Sequence, residues 1–392
     1  MTDHNQNAVK VISVLLPLMG MAAGAMRVNS AVVFTLNILA LIPLGPWISR
    51  SVDALSVGGR RFTSELLKST LGNSVELMVG INAVIQRRPH VSQSVILGSV
   101  LSNLLLVLGG TLFISGYDKK RLRFDRTLTT VLSSLMTVVF ILLAIPTMMD
   151  VFPSTTSTPT NQVLSTQRIT AVILILLLVT FLFFRLGTHA AMFASTPFSQ
   201  TDPSPNTGRS RHQHRQSQII EAQLPRPYLR RDIAALVLAT ASGCTFGCTY
   251  YIVDGLSELA RLTGFNASFL AVTTVPIIGN FVKYYSIVMG SRSYGQVELG
   301  IRAIINSVLR LTMLIAPLLM LVGSVFDQPL TLRFDGFEST TLLLSVVVMT
   351  YLISDGRSNY FEGLMLIGTY AIIVCSFFVR PEIPANVIFL GT

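Results

Sequence analysis

Largely apolar runs of about 18 residues or more recur from one end of this chain to the other, and each is long enough to cross a hydrocarbon core of about 30 Å. Half of the 392 residues are apolar, 12% are charged, and the mean hydropathy is +0.62. An ordinary soluble domain carries about 25% charged residues. The runs predict an all-α integral membrane protein of about 11 transmembrane helices, at roughly 11–27, 31–49, 67–86, 91–115, 127–149, 168–186, 232–253, 266–289, 300–326, 339–354 and 361–379. The run at 300–326 holds Arg302, Arg310 and Pro317, and is expected to be kinked or broken. Met1–Lys10 is polar, and no cleaved signal peptide is expected.

Two of the runs carry the same polar box. Leu71–Gly80 reads LGNSVELMVG and Ile278–Ile287 reads IGNFVKYYSI. The shared frame is Gly-Asn-x-Val: Gly72 and Asn73 in the first copy, Gly279 and Asn280 in the second, 207 residues on. The next position differs in sign, Glu76 in one copy and Lys283 in the other. A polar box repeated in two hydrophobic segments is how a secondary transporter builds a site at the membrane midplane.

The same offset carries Ser99 onto Asn306 and Asn103 onto Arg310. Asn73 and Glu76 share one helix face, as do Ser99, Ser102 and Asn103. A carboxylate, side-chain amides and carbonyls freed by local unwinding are the oxygen ligands a hard cation needs, with Glu76 as the metal-binding carboxylate. A membrane carboxylate also takes a proton, and one group that binds either proton or cation is the minimal logic of an antiporter. The plainer reading is that Glu76 pairs with another helix; ionisable groups in a membrane are costly and point to function by default.

GNSVELMVGINAV followed by ILGSVLSNLLLVLGG resembles the first repeat motif of the cation/proton exchangers, the Ca²⁺/H⁺ antiporter branch of the Ca²⁺/cation antiporters. VFTLNILALIPLG at 33–45, FLFFRLGTHAAMF at 181–193 and the stretch 353–381 also resemble family segments, and the fungal vacuolar members look most similar. The resemblance implies a sodium/calcium exchanger-type fold, one leading helix and two inverted five-helix repeats, with the repeat motifs meeting at the midplane. It implies Ca²⁺ or a related cation exchanged for protons across a vacuolar or other acidic-organelle membrane, with no cofactor.

The departures lie in the second half of the site. The family's second motif resembles GNAAEH, with a second essential Glu; here Lys283 and Tyr284 follow the Gly-Asn. The Gly-Ser-Ser-x-Gln that follows is not recognisable in 300–312, and Arg310 sits near the amide position. In CTYYIVDG, where the family usually carries an acid, Tyr250 stands, with Asp254 further on. Lysine at membrane depth costs about 2.5–3.5 kcal/mol unless paired, so a Glu76–Lys283 ion pair is expected in place of the metal. Such a pair is either inert or a switch displaced by an incoming cation. The alternative function is accordingly a transport-deficient paralogue acting as a regulatory or scaffold subunit. An anion carrier using Lys283 and Arg310 is opposed by Glu76, and no nucleophile–base set or nucleotide loop suggests an enzyme.

The expected organisation is a cytosolic tail at 1–10, a leading helix at 11–27, a first repeat at 31–186, a basic linker at 187–231, a second repeat at 232–380 and a tail at 381–392. The linker contains Arg209–Arg215 with His212 and His214, which reads as a solvated basic loop rather than a metal tract. Loop 116–126 has five Lys/Arg, the stretch 185–231 seven and loop 50–66 three, whereas 150–167 has none. Positive charge marks the cytosolic side, which puts the N-terminus and linker in the cytosol. The net charge of +10 reads as topology and contact with anionic lipid rather than nucleic acid. Partners are thus the bilayer and inorganic cations; no oligomeric state follows. Cys244 and Cys248 lie one turn apart and read as small hydrophobes, not a metal pair.

Overall fold

The structure, a computed structural model, describes residues 2–57, 59, 61–118, 121–151, 160–193, 230–293, 297–326 and 334–380. The basic run Arg209–Arg215, His212 and His214 among it, and the tail 381–392 lie outside these residues. Helix α1 spans Thr2–Ala25, α2 Ser30–Ser56, α3 Arg61–Leu71, α4 Ser74–Ile85, α5 Pro89–Gly116, α6 Arg126–Val151 and α7 Ser165–Thr188. Helix α8 spans Arg231–Thr263, α9 Ala267–Gly279, α10 Phe281–Arg292, α11 Val297–Val325, α12 Gly336–Ser354 and α13 Tyr360–Val379. The polar segment expected as a tail at 1–10 forms the first turns of α1 from Thr2 onward.

Among the described residues eight helices are long and apolar enough to cross a membrane; α9 and α10, bent by 58°, make a ninth span together, and Ile12–Ala25 and Ser74–Ile85 are shorter apolar helices. These segments coincide with the apolar runs of the sequence. Helix ends follow local chemistry. The Asn29 side chain accepts from Ala31 N at the start of α2 at 2.9 Å, and Asp335 and Glu338 form a capping box on α12. At the far end of α8, Gly264 takes the left-handed conformation, φ 71°, that closes a helix without a Cβ penalty.

Of the kink or break expected in 300–326, the structure shows no break but an irregular turn. Helix α11 runs through as one element, widened at Leu311–Ile315 into a π-helical turn. Pro317 sits just after that turn, in the first positions of the following α-helical stretch, where its missing N–H is least costly. Ser102–Val107 of α5 forms a π-helical turn at the related position of the first repeat. The breaks fall instead at the two Gly-Asn boxes, between α3 and α4 and between α9 and α10.

The offset of 207 relates whole helices. It carries α2 to 237–263, inside α8, and α5 to 296–323, within α11 to a residue. Related helices also pack together, α2 along α8 and α6 along α12. Each repeat has an odd number of spans, five, so the second enters the membrane from the opposite side to the first, an inverted repeat. One apolar core joins α5, α6 and α7 to α11, α12 and α13; a second joins α2 and α4 to α8 and α9. Both mix the repeats, so neither repeat buries its apolar surface alone. Gly98 of α5 shows how closely they approach: a Cβ there would stand 1.9 Å from the Val272 carbonyl oxygen on α9.

Helix α5 is buried almost throughout, whereas α7 buries Ala171, Leu174 and Leu178 and exposes Ile169, Val172, Ile173 and Leu176. An exposed apolar stripe of that kind is costly in water and suited to acyl chains. The segment that follows α5, the end of α10 and the segment that follows α12 meet one another. Leu122–Arg123 pairs antiparallel with Arg357–Ser358, and Arg292 reaches Asp118 at 3.2 Å.

Candidate functional site

The two boxes meet where their helices break. Asn73 precedes the first turn of α4, and Asn280 follows the last turn of α9. Gly279 lets the segments touch, since a Cβ there would lie 2.9 Å from Val75 Cγ1 of the first box. Glu76, in the first turn of α4, is 1% exposed. That position places a carboxylate against the positive end of the helix dipole, which offsets part of its burial cost.

The polar contacts between the boxes are crossed. Asn280 Nδ2 donates to Glu76 Oε1 at 2.9 Å and to the Pro276 carbonyl at 3.2 Å. Lys283 Nζ donates to Asn73 Oδ1 at 2.6 Å, Ser307 Oγ at 2.9 Å and the Gly72 carbonyl at 3.3 Å. Ser307 Oγ also donates to Asn73 Oδ1 at 3.2 Å. Each asparagine thus serves the charged residue of the other repeat, offering NH₂ to the carboxylate and oxygen to the ammonium. One residue type suits both signs because an amide is donor at one end and acceptor at the other.

This corrects the expected Glu76–Lys283 ion pair. No salt bridge joins the two; the ammonium is held by three neutral oxygens and the carboxylate by an amide. Its second oxygen, Glu76 Oε2, is buried without a partner, as are Ser99 Oγ, Asn103 Oδ1 and Asn306 Oδ1. Buried polar atoms without partners are rare in folded proteins, so each of these oxygens is left with an unused acceptor position. Ser102 Oγ is turned back on its own helix, to the Gly98 carbonyl at 2.5 Å. Asn103 Nδ2 bonds the Ser99 carbonyl at 2.6 Å and the Tyr284 hydroxyl at 3.1 Å, which ties α5 to α10.

Arg310 does not reach into this oxygen set through its own hydrogen bond. Its Nη2 donates to Glu65 Oε1 on α3 at 2.6 Å, and Arg185 Nη1 of α7 reaches the same oxygen at 2.9 Å. Burial disfavours the Glu65 carboxylate, but the guanidiniums of Arg310 and Arg185 outweigh it and hold its carboxyl below the usual range. Arg302 is paired likewise, with Glu298 one turn earlier. In the CTYYIVDG stretch the inward polar side chain is Thr249, which accepts from Asn82 Nδ2 at 2.8 Å; Tyr250 is 42% exposed. Among the described residues no group of three His, Cys, Asp or Glu could hold a metal, and Cys248 packs in the apolar core beside α2.

Three residues of this arrangement were not anticipated. Ser307 stands where the offset puts Val100, an extra hydroxyl in the second repeat that a stricter superposition of the two halves would expose. Glu65 is the only acid of the amphipathic α3, whose first turns fall in the loop expected at 50–66. Tyr284 is visible only as the residue after Lys283, and its link to Asn103 spans 181 positions.

The model of the sodium/calcium exchanger protein family matches residues 29–187 and 233–379. The chain is 31% identical over 364 residues to the vacuolar calcium ion transporter of Schizosaccharomyces pombe, covering 93% of this chain and 83% of the relative. It is 27% identical over 377 residues to a Ca²⁺/H⁺ antiporter of Synechocystis, covering 95% and 97%. The solved structure of native YfkE superposes with a TM-score of 0.74 at 24% identity, covering 94% of this chain and all of the other, a likeness of fold. With both matched segments enclosing a Gly-Asn box, the chain belongs to the sodium/calcium exchanger protein family.

Proposed function

We propose that the protein is a secondary active antiporter that exchanges a cation, with Ca²⁺ the foremost candidate, for protons across the membrane of a vacuole or other acidic organelle. The observation that carries this reading is Glu76: a buried carboxylate at the meeting point of two broken helices, with one oxygen bonded to Asn280 and the other without a partner. A proton on that oxygen cancels the charge of the carboxylate; a cation bound there occupies the same oxygen. The two occupancies exclude each other, which couples the flux of one to the counterflux of the other.

Asn103, Ser99 and Asn306 supply neutral oxygens to a cargo cation; Asn73, Asn280, Gly72 and Gly279 shape the two breaks; Ser102 sits beside them on α5. The two mixed apolar cores, one of α5–α7 with α11–α13 and one of α2 and α4 with α8 and α9, are the bodies that shift about the site to open it to alternate sides. The homologues' names, a vacuolar calcium ion transporter and a Ca²⁺/H⁺ antiporter, support the choice of ions. The excess of Lys and Arg in loops 50–66, 116–126 and 185–231 supports a cytosolic N-terminus and linker.

Proteoliposomes of the purified protein, acid inside, should accumulate ⁴⁵Ca²⁺ and lose it when the gradient is collapsed, with Na⁺, K⁺ and Mn²⁺ as competitors. No gradient-driven flux of any of these ions rejects the reading. Protease digestion of sealed, cytosol-side-out vesicles tests orientation: a tag in 187–231 should be cut and a C-terminal tag protected.

A further inference from the structure

We propose that Gly72 O, Asn73 Oδ1 and Ser307 Oγ form a site for a small monovalent cation, and that the Lys283 ammonium is its permanent, covalently attached occupant. The three oxygens lie 3.3, 2.6 and 2.9 Å from Nζ. An ammonium has three N–H donors and no acceptor, so three acceptors satisfy it fully. They come from three places: the carbonyl at the break before α4, the side chain capping that break, and a hydroxyl of α11. Asn73 and Ser307 are 1% and 4% exposed, so two of the three ligands are fixed in packed surroundings. Gly72 is exposed, which leaves the third edge open to a small ion.

Carbonyl, amide and hydroxyl oxygens without a carboxylate among them suit a single positive charge better than a divalent ion. The charged groups that face Lys283 are Glu76 and Arg310, and Arg310 is itself bonded to Glu65. The cage joins α4, α10 and α11, so its occupant helps hold the two repeats in register. A lysine there removes dependence on a free ion and confines exchange to the Glu76 half of the site. This holds whichever ion Glu76 carries, so its test reads binding and stability rather than flux.

Lys283→Ala empties the cage. In detergent, with N-methylglucamine as the only buffer cation, the variant should melt below wild type. Ammonium, Na⁺ or K⁺ should raise its melting temperature with the logarithmic concentration dependence of a bound ligand. Tetramethylammonium, too large for the cage, should not do so at equal ionic strength, and wild type should respond to none of them. Ser307→Ala added to Lys283→Ala should weaken the ammonium response. Equal recovery with tetramethylammonium, or none with any small cation, overturns the proposal. If Lys283→Ala yields no folded protein, a double-mutant cycle of Ser307→Ala with Lys283→Gln decides: coupled melting shifts support the cage and additive shifts overturn it.

Discussion

Asn280 and Glu76, 204 positions apart in the chain, share a buried 2.9 Å hydrogen bond. Its counterpart joins Asn73 to Lys283 at 2.6 Å with the amide turned the other way. The Gly-Asn frame therefore tolerates an inverted charge: rotating one amide converts a carboxylate partner into an ammonium partner. The second repeat thus keeps the geometry of the box with the opposite charge in it.

Glu76→Gln should abolish gradient-driven ⁴⁵Ca²⁺ uptake while leaving the melting temperature near that of wild type. The Gln oxygen can still accept from Asn280, and Lys283 keeps its own three acceptors. Asn280→Leu should instead destabilise by about 1–3 kcal/mol, because it strips the carboxylate of its one hydrogen bond. Melting curves and uptake on both variants check this. A large loss of stability in Glu76→Gln would mean that Lys283 depends on the carboxylate after all.

Lys283→Glu should be accommodated, since Asn73 has an unpartnered Nδ2 ready to turn inward and Ser307 can donate rather than accept. With two carboxylates and the Gly72 carbonyl nearby, half-maximal Ca²⁺ uptake should shift to lower Ca²⁺ concentration. Titrating initial uptake rates in both proteins measures it; an unchanged or higher half-saturation contradicts the assignment of Lys283 to the site.

Glu65→Gln should cost about 3–5 kcal/mol, because two guanidiniums lose their shared partner in a mostly buried setting. The pH dependence has a definite sign. The carboxyl of Glu65 is held below its unfolded value, so its contribution is complete above the ordinary Glu range of about 4.3 and is lost as pH falls through its folded value. Acid unfolding in detergent should show a steep limb below that range in wild type and a flatter one in Glu65→Gln. Parallel limbs in the two proteins would remove Glu65 from the account.

Gly98→Ala should sharply reduce the yield of folded protein, since its Cβ would stand 1.9 Å from the Val272 carbonyl oxygen, and backbone cannot yield as a side chain does. Gly243→Ala, in α8 with open space around it, should be neutral or stabilise by about 0.4–1 kcal/mol. Size-exclusion profiles of the two variants compare them directly. Similar profiles would indicate that α5 and α9 are not in contact in the folded protein.

The number and order of the spans, the two-fold repeat and the buried position of Glu76 were legible in the sequence. Apolar run length is set by the thickness of the bilayer, and a duplicated box needs no partner to be seen. Even the breaks at Gly72-Asn73 and Gly279-Asn280 follow from local chemistry. Tertiary structure alone decided who pairs with whom. Opposite charges at related positions of a repeat suggest an ion pair, yet Lys283 turns to Ser307 and Asn73 while Glu76 keeps Asn280. Arg310, at the position related to Asn103, is drawn to Glu65 on an amphipathic helix with no apolar run to announce it. Pairing depends on distances of a few ångströms between segments far apart in the chain, and the orientation of an amide leaves no trace in residue identity.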